Sequence, residues 1–180
     1  GLWFVGAFWL YTSIHTYGDT NAFVSILMIA FMATLMGLFT AFQTWLYRRF
    51  FPETPLTFAP LWVLFEWAKT WVFTGFPWLF AGYAFTEHLL DNYAPLFGVY
   101  AVSFVVILLA CALVETLRRK YAWAFISFLF VVGAWAVSFI QFVEEKPEKP
   151  LSVSLIQGNI PQDLKWLTEY QVKTLEIYAE

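Results

Sequence analysis

Residues 22–49 read AFVSILMIAFMATLMGLFTAFQTWLYRR, and no charge occurs in this segment before the closing pair of arginines. About 20 apolar residues in a helix cross a hydrocarbon core of roughly 30 Å, so residues 22–47 are long enough to span a membrane. Basic residues directly after an apolar segment are typical of the cytoplasmic end of such a helix. The segment therefore predicts a transmembrane helix that ends at Arg48 and Arg49 on the cytoplasmic side.

The composition of the whole chain agrees with this segment. The 180 residues are 61% hydrophobic, 22% aromatic and 13% charged, whereas soluble domains carry about 25% charged and 45–50% apolar residues. A single soluble domain and a disordered chain are both excluded by this apolar excess. The net charge of -3 and the lack of a basic patch argue against nucleic-acid binding. We therefore predict an integral, multi-pass α-helical membrane protein.

Other apolar segments complete a predicted membrane domain over residues 1–143. The first of them is too short to cross and is interpreted as part of a span, whereas the other three are interpreted as full spans. A polar, proline-marked linker is predicted at residues 144–150, because a sequence of this kind does not stay in lipid. These additional apolar segments lie at residues 2–13, 56–73, 95–117 and 121–143.

The distribution of basic residues predicts the orientation of the chain. The connections after alternate spans contain all the basic residues of the short loops, whereas the loops at residues 14–21 and 74–94 contain no Lys or Arg. The positive-inside rule therefore places those two loops, and everything after about residue 143, on the outer side. The predicted cytoplasmic residues are Arg48, Arg49, Arg118, Arg119 and Lys120.

The pattern changes after the linker. Residues 151–157 alternate apolar and small polar side chains, as expected for a strand with one buried face. Gly158 to Pro161 is a turn signal, and residues from Thr168 onward have a helical pattern. One strand and one helix cannot bury a core, so residues 151–180 are predicted to open a larger α/β domain. We expect the sequence to be a piece of a longer protein, cut at both ends.

Three motifs together resemble one family. They are YTSIHTYG at residues 11–18, TGFPWLFAGY at residues 74–83 and VSLIQGNIPQDLKW at residues 153–166. All three fall on the predicted outer side, and in their order and spacing they resemble the apolipoprotein N-acyltransferases of the bacterial inner membrane. The resemblance extends over nearly the whole chain.

The resemblance implies a fold and an activity. Members of the family place eight transmembrane helices around a periplasmic, nitrilase-like α-β-β-α domain, so residues 151–180 would supply its first strand and helix. They transfer an acyl chain from a phospholipid to the N-terminal amine of a diacylglyceryl-cysteine apolipoprotein. A cysteine first takes the acyl group as a thioester, while a glutamate acts as base and a lysine supports the oxyanion. No cofactor is implied.

The same resemblance assigns no catalytic residue to this sequence, because it implies that the family's Glu-Lys-Cys triad lies beyond Glu180, the last residue of the sequence. We therefore expect the chain by itself to be inactive. Cys111 is the only cysteine, and it lies between two alanines in the middle of a predicted span. We interpret it as a small packing residue. A metal site at His15 is not expected, because no further ligands occur at a suitable spacing.

The candidate lipid-binding residues are aromatic. Trp78 lies in the Phe-Pro-Trp sequence of the second motif, Tyr83 closes that motif, and Trp166 closes the third. One hypothesis is that these rings contact the acyl chains of the substrate; the alternative is that Trp78 and Tyr83 only anchor the protein at the headgroup level and that Trp166 packs over the first strand.

Glu66 and Lys69 are the only charged residues deep in a predicted span. At about 1.5 Å per residue, Glu66 lies roughly 15 Å from the start of the segment at Leu56. Lys69 follows on the same helix face, so the two are predicted to form an intramembrane polar pair. The pair is interpreted either as a packing device or as a polar lining that leads substrate outward.

Two other classes of protein are alternatives. A transporter-like membrane domain would place ionisable residues on several spans and often contains an internal repeat, and neither feature is present. A non-catalytic membrane anchor that carries a nitrilase-like binding module remains open, since the residues that would decide are not among the 180.

Overall fold

A computed structural model describes residues 1–144, 152–161, 164–165 and 167–179. Its longest helix, α2, covers Ala22–Phe50. The helix begins there because the Asn21 side chain accepts a hydrogen bond from the backbone N–H of Phe23 (2.9 Å), which satisfies one of the free donors of the first turn. Pro52 follows soon after its end, and a helix rarely continues up to a proline.

Three further long helices follow. Helix α3, Pro55–Ala68, begins with a proline, whose fixed φ suits the first helical position. Helices α5, Val99–Leu117, and α6, Ala122–Val137, are joined by a short turn that contains Arg119 and Lys120. Helix α3 packs on α2, α5 packs on α3, and α6 packs on α5. By length and composition, α2 and α5 can each cross a membrane, and α6 is a shorter apolar helix.

Helix α3 ends earlier than the apolar segment at residues 56–73 suggests. The backbone N–H of Phe76 donates to the carbonyl of Lys69 (2.6 Å), and Gly75 has a φ of 92°, so the chain reverses directly after the helix. Glycine adopts this left-handed backbone at little cost. A short 3₁₀ turn, Val72–Thr74, lies within the reversal.

The residues before α2 form short pieces instead of one helix over residues 2–13. Helix α1 covers Leu2–Gly6, and a π-helical turn covers Thr12–Tyr17. His15 lies in this turn, and its Nδ1 is 2.6 Å from the carbonyl oxygen of Thr20. This hydrogen bond ties the turn to the start of α2.

The segment between α3 and α5, residues 74–94, is called the outer loop below. It contains two 3₁₀ turns, Ala81–Phe85 and Leu89–Tyr93, and leads into the short helix α4, Ala94–Phe97. The first of these turns packs on α5, and the second packs on both α5 and α6. Leu90 is buried in a cluster with Val102, Val105 and Ala134. The outer loop is thus part of the packed structure.

The C-terminal residues differ from the sequence prediction. Among the described residues, 152–157 form no strand, and the predicted strand at residues 151–157 is not seen; Leu155 is 96% exposed. A strand exists only by hydrogen bonding to a neighbour, and these residues have none in the described part of the chain. Helix α7, Gln171–Ala179, follows a 3₁₀ turn at Thr168–Tyr170.

Several predictions refer to residues that lie outside the described ranges. Residues 145–150 of the predicted linker are among them. Glu180, the last residue of the predicted start of the α/β domain, is another. In the predicted α/β domain, the described residues therefore end at Ala179, one residue before the predicted boundary at Glu180. The expectation that the catalytic triad lies beyond Glu180 is not tested by the structure, and it stays a prediction.

Candidate functional site

The first anchor of the outer loop is a buried carboxylate. Glu66 on α3 is 1% exposed, and its Oε1 accepts two hydrogen bonds. One comes from Trp62 Nε1 one turn earlier (2.8 Å), and the other from the backbone N–H of Ala81 (2.8 Å). Hydrogen bonds to a charged acceptor are stronger than neutral ones. Glu66 thereby fixes the position at which the loop turns back onto the helices.

Lys69 lies between two aromatic rings. It is 6% exposed, and its Nζ lies 4.8 Å from the ring centre of Trp3 and 5.0 Å from that of Phe80. Lys69 and Glu66 are both described, and no ion pair joins their charged groups. The ammonium group lies against two aromatic faces, which attract it by cation–π interaction, and the predicted polar pair with Glu66 stays a prediction. Lys69 links α3 to α1 and to the outer loop.

A second anchor joins the loop to α5. The backbone N–H of Gly82 donates to Ser103 Oγ (2.8 Å), and Ser103 is completely buried. A Cβ atom at position 82 would lie 2.6 Å from the carbonyl oxygen of Val99, closer than real Cβ contacts allow. Only a glycine lets the two backbones approach so closely. The 3₁₀ turn at Ala81–Phe85 is therefore held between Glu66 on one helix and Ser103 on another.

Trp78 lies on the part of the loop before these anchors. Its side chain is 47% exposed, and its ring packs on Phe76 (5.1 Å between ring centres) and on Trp9 (5.9 Å). The next residue, Leu79, has a φ of 61° and packs against Gly6 of α1. One side of the Trp78 ring is thus supported, and much of the rest remains accessible.

Tyr83 lies directly after the anchors and is 52% exposed. Its ring stacks on Phe80 with the planes 3° apart and the ring centres 5.5 Å apart. Phe80 is itself buried and contacts Tyr100 of α5 at 5.8 Å. Each half-exposed ring of the loop therefore rests on a phenylalanine, and both supports belong to the same ten-residue motif.

The structure places Trp78, Tyr83, Glu66 and Lys69 in one region around the outer loop. Trp166 lies outside the described residues, so its position relative to the loop stays a prediction. Rings held in this way offer apolar area with a polar N–H or O–H group, which suits the boundary between lipid headgroups and acyl chains. The arrangement is suited to binding rather than to bond breaking.

Sequence reasoning missed three residues that build this site. Ser103 supplies the acceptor for Gly82, Gln43 of α2 is buried beside Glu66 and Lys69, and Trp62 donates to Glu66. Ser103 and Gln43 could have been found from the sequence, because each is a polar residue inside a long apolar segment. Such residues usually face the interior of a bundle.

Cys111 is half-buried on α5, close to the end of that helix that carries Glu115 and Arg118. Glu115 is buried and accepts hydrogen bonds from Arg118 Nη1 (2.9 Å) and from Lys120 Nζ. This cluster lies at the α5–α6 turn and shares no residue with the outer-loop site.

Comparison with known proteins identifies the chain's relatives. The family model described as the apolipoprotein N-acyltransferase N-terminal domain matches residues 1–112. An apolipoprotein N-acyltransferase of Haemophilus influenzae is 36% identical over 99% of this chain and 37% of its own length. Those of Nitrosomonas europaea and Photobacterium profundum are 36% and 32% identical over the whole chain.

The chain spans just over a third of the length of these relatives. The match to the family model begins at the first residue, extends through most of α5 and includes the whole outer loop. The site built by Glu66, Ser103 and the two half-exposed rings is therefore within the matched region, and the chain belongs to the apolipoprotein N-acyltransferase family and carries its N-terminal domain.

Proposed function

We propose that the chain forms the membrane part of an enzyme that moves an acyl chain from a phospholipid to the N-terminal amine of a diacylglyceryl-cysteine apolipoprotein. Family membership supports this activity, since the relatives are named as apolipoprotein N-acyltransferases. The reaction would proceed by two transfers. A cysteine thiolate takes the acyl group from the lipid ester and releases the lysophospholipid. The lipoprotein amine then attacks the thioester, which forms an amide and releases the cysteine thiol. No residue up to Glu180 is assigned to the family's Glu-Lys-Cys triad.

The proposed orientation puts the outer loop in the periplasm and the turns after α2 and α5 in the cytoplasm of a bacterium, with the helices in its inner membrane. The basic residues at the ends of α2 and α5 are exposed, and they are concentrated in these two turns. The outer loop contains acidic residues and no Lys or Arg. This asymmetry supports the orientation by the positive-inside rule.

For residues 151–180 we propose the first strand and helix of a nitrilase-like periplasmic domain, with residues 144–150 as the linker from the membrane domain over residues 1–143. Val153 and Leu155 are both exposed and alternate with serines, which is the pattern of a strand that needs a sheet neighbour. Helix α7 begins at Gln171, soon after the Gly-Asn turn signal.

The outer loop is the proposed contact surface for the substrate's acyl chains, with Trp78 and Tyr83 as the contacting rings. The observation that carries this proposal is that both rings are half-exposed while the backbone between them is fixed by Glu66 and Ser103. A preorganised ring loses little freedom when a ligand binds. Trp166 is proposed as a third contact on the strength of the sequence motif alone.

The test is the rate of acyl transfer from phospholipid to a diacylglyceryl lipopeptide by the full-length enzyme in detergent micelles. Trp78→Ala and Tyr83→Ala each remove an aromatic ring, and burying a large apolar side chain contributes about 1.5–3 kcal/mol of binding free energy. We therefore expect kcat/KM to fall roughly tenfold or more. The Tm should stay near the wild-type value. Unchanged kcat/KM in both variants, with intact folding, contradicts a role in lipid contact.

Trp45→Ala is the matched control. Trp45 is 54% exposed and packs on Phe42 and Phe50, so it resembles Trp78 in exposure and surroundings. It lies near the proposed cytoplasmic end of α2, away from the outer loop. We expect this variant to keep the wild-type rate. An equal loss in Trp45→Ala would mean that any half-exposed tryptophan supports activity through membrane anchoring.

A further inference from the structure

A small closed cavity lies between α1, α2, α3 and the outer loop. Its volume is about 30 Å³, and most of its wall consists of apolar and aromatic side chains. Four polar side chains also line it: Thr40 and Gln43 from α2, and Glu66 and Lys69 from α3. A polar cavity enclosed in this way, in the middle of an apolar bundle, is a candidate site for a small hydrogen-bonding ligand.

Two buried polar atoms point to that ligand. Among the described residues, Gln43 Nε2 and Glu66 Oε2 have no hydrogen-bond partner, although both side chains are more than nine-tenths buried. One of these atoms is a donor and the other is an acceptor. Buried polar groups in folded proteins are nearly always satisfied by protein or by ordered water. Both atoms belong to residues that line the same cavity.

The cavity is large enough to hold a water molecule. A buried water needs about 10–15 Å³ of accessible volume and two to four polar partners. We propose that this cavity binds a single water molecule, which accepts a hydrogen bond from Gln43 Nε2 and donates one to Glu66 Oε2. The Lys69 ammonium can supply a second donor to it, and Thr40 Oγ1 a second acceptor.

The other groups at the site favour a neutral ligand over a cation. Lys69 already places a positive charge at the cavity, and Gln43 presents its NH₂ group, which cannot ligate a metal ion. The water would also connect the side chains of Glu66 and Lys69, two described residues that form no direct salt bridge. Through this water, Gln43 would connect α2 to the carboxylate that anchors the outer loop.

The test is an experimental structure of the full-length protein at a resolution that shows ordered waters. We expect one isolated density peak within hydrogen-bond distance of both Gln43 Nε2 and Glu66 Oε2. A direct hydrogen bond between these two side chains, a cavity without a peak, or a peak at the shorter distances of a metal ion would each overturn the proposal.

A pair of leucine variants tests the assignment of the donor. Gln43→Leu removes the donor and fills part of the cavity, so we expect the peak to be lost. Gln141→Leu is the matched control at an exposed position, and the peak should remain. A peak that persists in Gln43→Leu would also overturn the proposed site. The wild-type map decides the question by itself if Gln43→Leu does not fold.

Discussion

At Gly82 the backbone of the outer loop lies close to α5. A methyl group there would meet the Val99 carbonyl oxygen at 2.6 Å and would disturb the hydrogen bond to Ser103 Oγ. We expect Gly82→Ala to destabilise the protein by about 1–3 kcal/mol, the usual cost of overpacking. Unfolding of the purified protein in detergent, followed by heat or denaturant, measures this change.

Gly37→Ala is the control for that substitution. Gly37 lies inside α2, and a Cβ atom there would have no neighbour within 4 Å. Because alanine favours a helix over glycine by about 0.5–1 kcal/mol, we expect this variant to be as stable as the wild type or more so. Equal destabilisation by both substitutions would show that the close approach of the two backbones at Gly82 does not cause the loss of stability.

Glu66 gives a second prediction, which separates its charge from its hydrogen bonds. The amide of Glu66→Gln keeps an oxygen for the N–H groups of Trp62 and Ala81, so we expect it to fold almost as stably as the wild type. Glu66→Leu leaves both partly buried donors without an acceptor, at a cost of up to about 1–3 kcal/mol for each. Tm values of the two variants in the same detergent test this, and equal losses would contradict it.

These residues show how far the sequence could predict the site. Two charges in an apolar segment marked Glu66 and Lys69 as unusual, and the Phe-Pro-Trp motif marked Trp78. The hydrogen bonds that fix the loop could not be predicted, because Ala81 is 15 residues from Glu66 and Gly82 is 21 residues from Ser103. Helical spacing also suggested a direct pair between Glu66 and Lys69. The sequence does not show that aromatic rings of Trp3 and Phe80 compete for the ammonium group.

The outer loop contacts α6 through Tyr93, whose hydroxyl group lies close to Gly133. Tyr93 Oη donates to the carbonyl of Phe130 (2.8 Å), and a Cβ atom at Gly133 would lie 2.5 Å from Tyr93 Oη. Burial raises the pKa of the Tyr93 phenol, so it keeps its proton and remains a donor at neutral pH. The hydroxyl group therefore requires that position 133 has no side chain.

A double-mutant cycle tests this contact. We expect Gly133→Ala to cost about 1–3 kcal/mol because it displaces the hydroxyl, and Tyr93→Phe to cost about 0.5–1.5 kcal/mol for the lost hydrogen bond. In the Tyr93→Phe background Gly133→Ala should cost less, with a coupling of about 0.5–3 kcal/mol. Stabilities that simply add would contradict the contact, and Gly37→Ala combined with Tyr93→Phe serves as the additive control.

The helices themselves were predictable to different degrees. Hydropathy indicated apolar segments at residues 22–47 and 95–117. Helix α2 covers the first segment, whereas the second is divided at Gly98 between α4 and α5. Hydropathy does not show where a helix stops within an apolar segment. Helix α3 ends at Ala68 because of the backbone contact between Phe76 and Lys69, which is a tertiary effect.

For the molecule as a whole, the proposed orientation makes a prediction that does not depend on the enzyme's activity. In the full-length protein, Cys111→Ser removes the single thiol of these 180 residues, and every cysteine after Glu180 is changed to serine as well. One cysteine is then introduced at an exposed position. In cells with a permeabilised outer membrane, we expect an impermeant maleimide to label His88→Cys on the outer loop and Ser154→Cys after the linker, but not Arg49→Cys. The last variant should react only after the inner membrane is opened, because the positive-inside rule places it in the cytoplasm. Labelling of Arg49→Cys in sealed cells, with protection of the other two variants, would show the opposite topology. The outer loop would then lie in the cytoplasm, away from periplasmic substrates, and the proposed function would be contradicted.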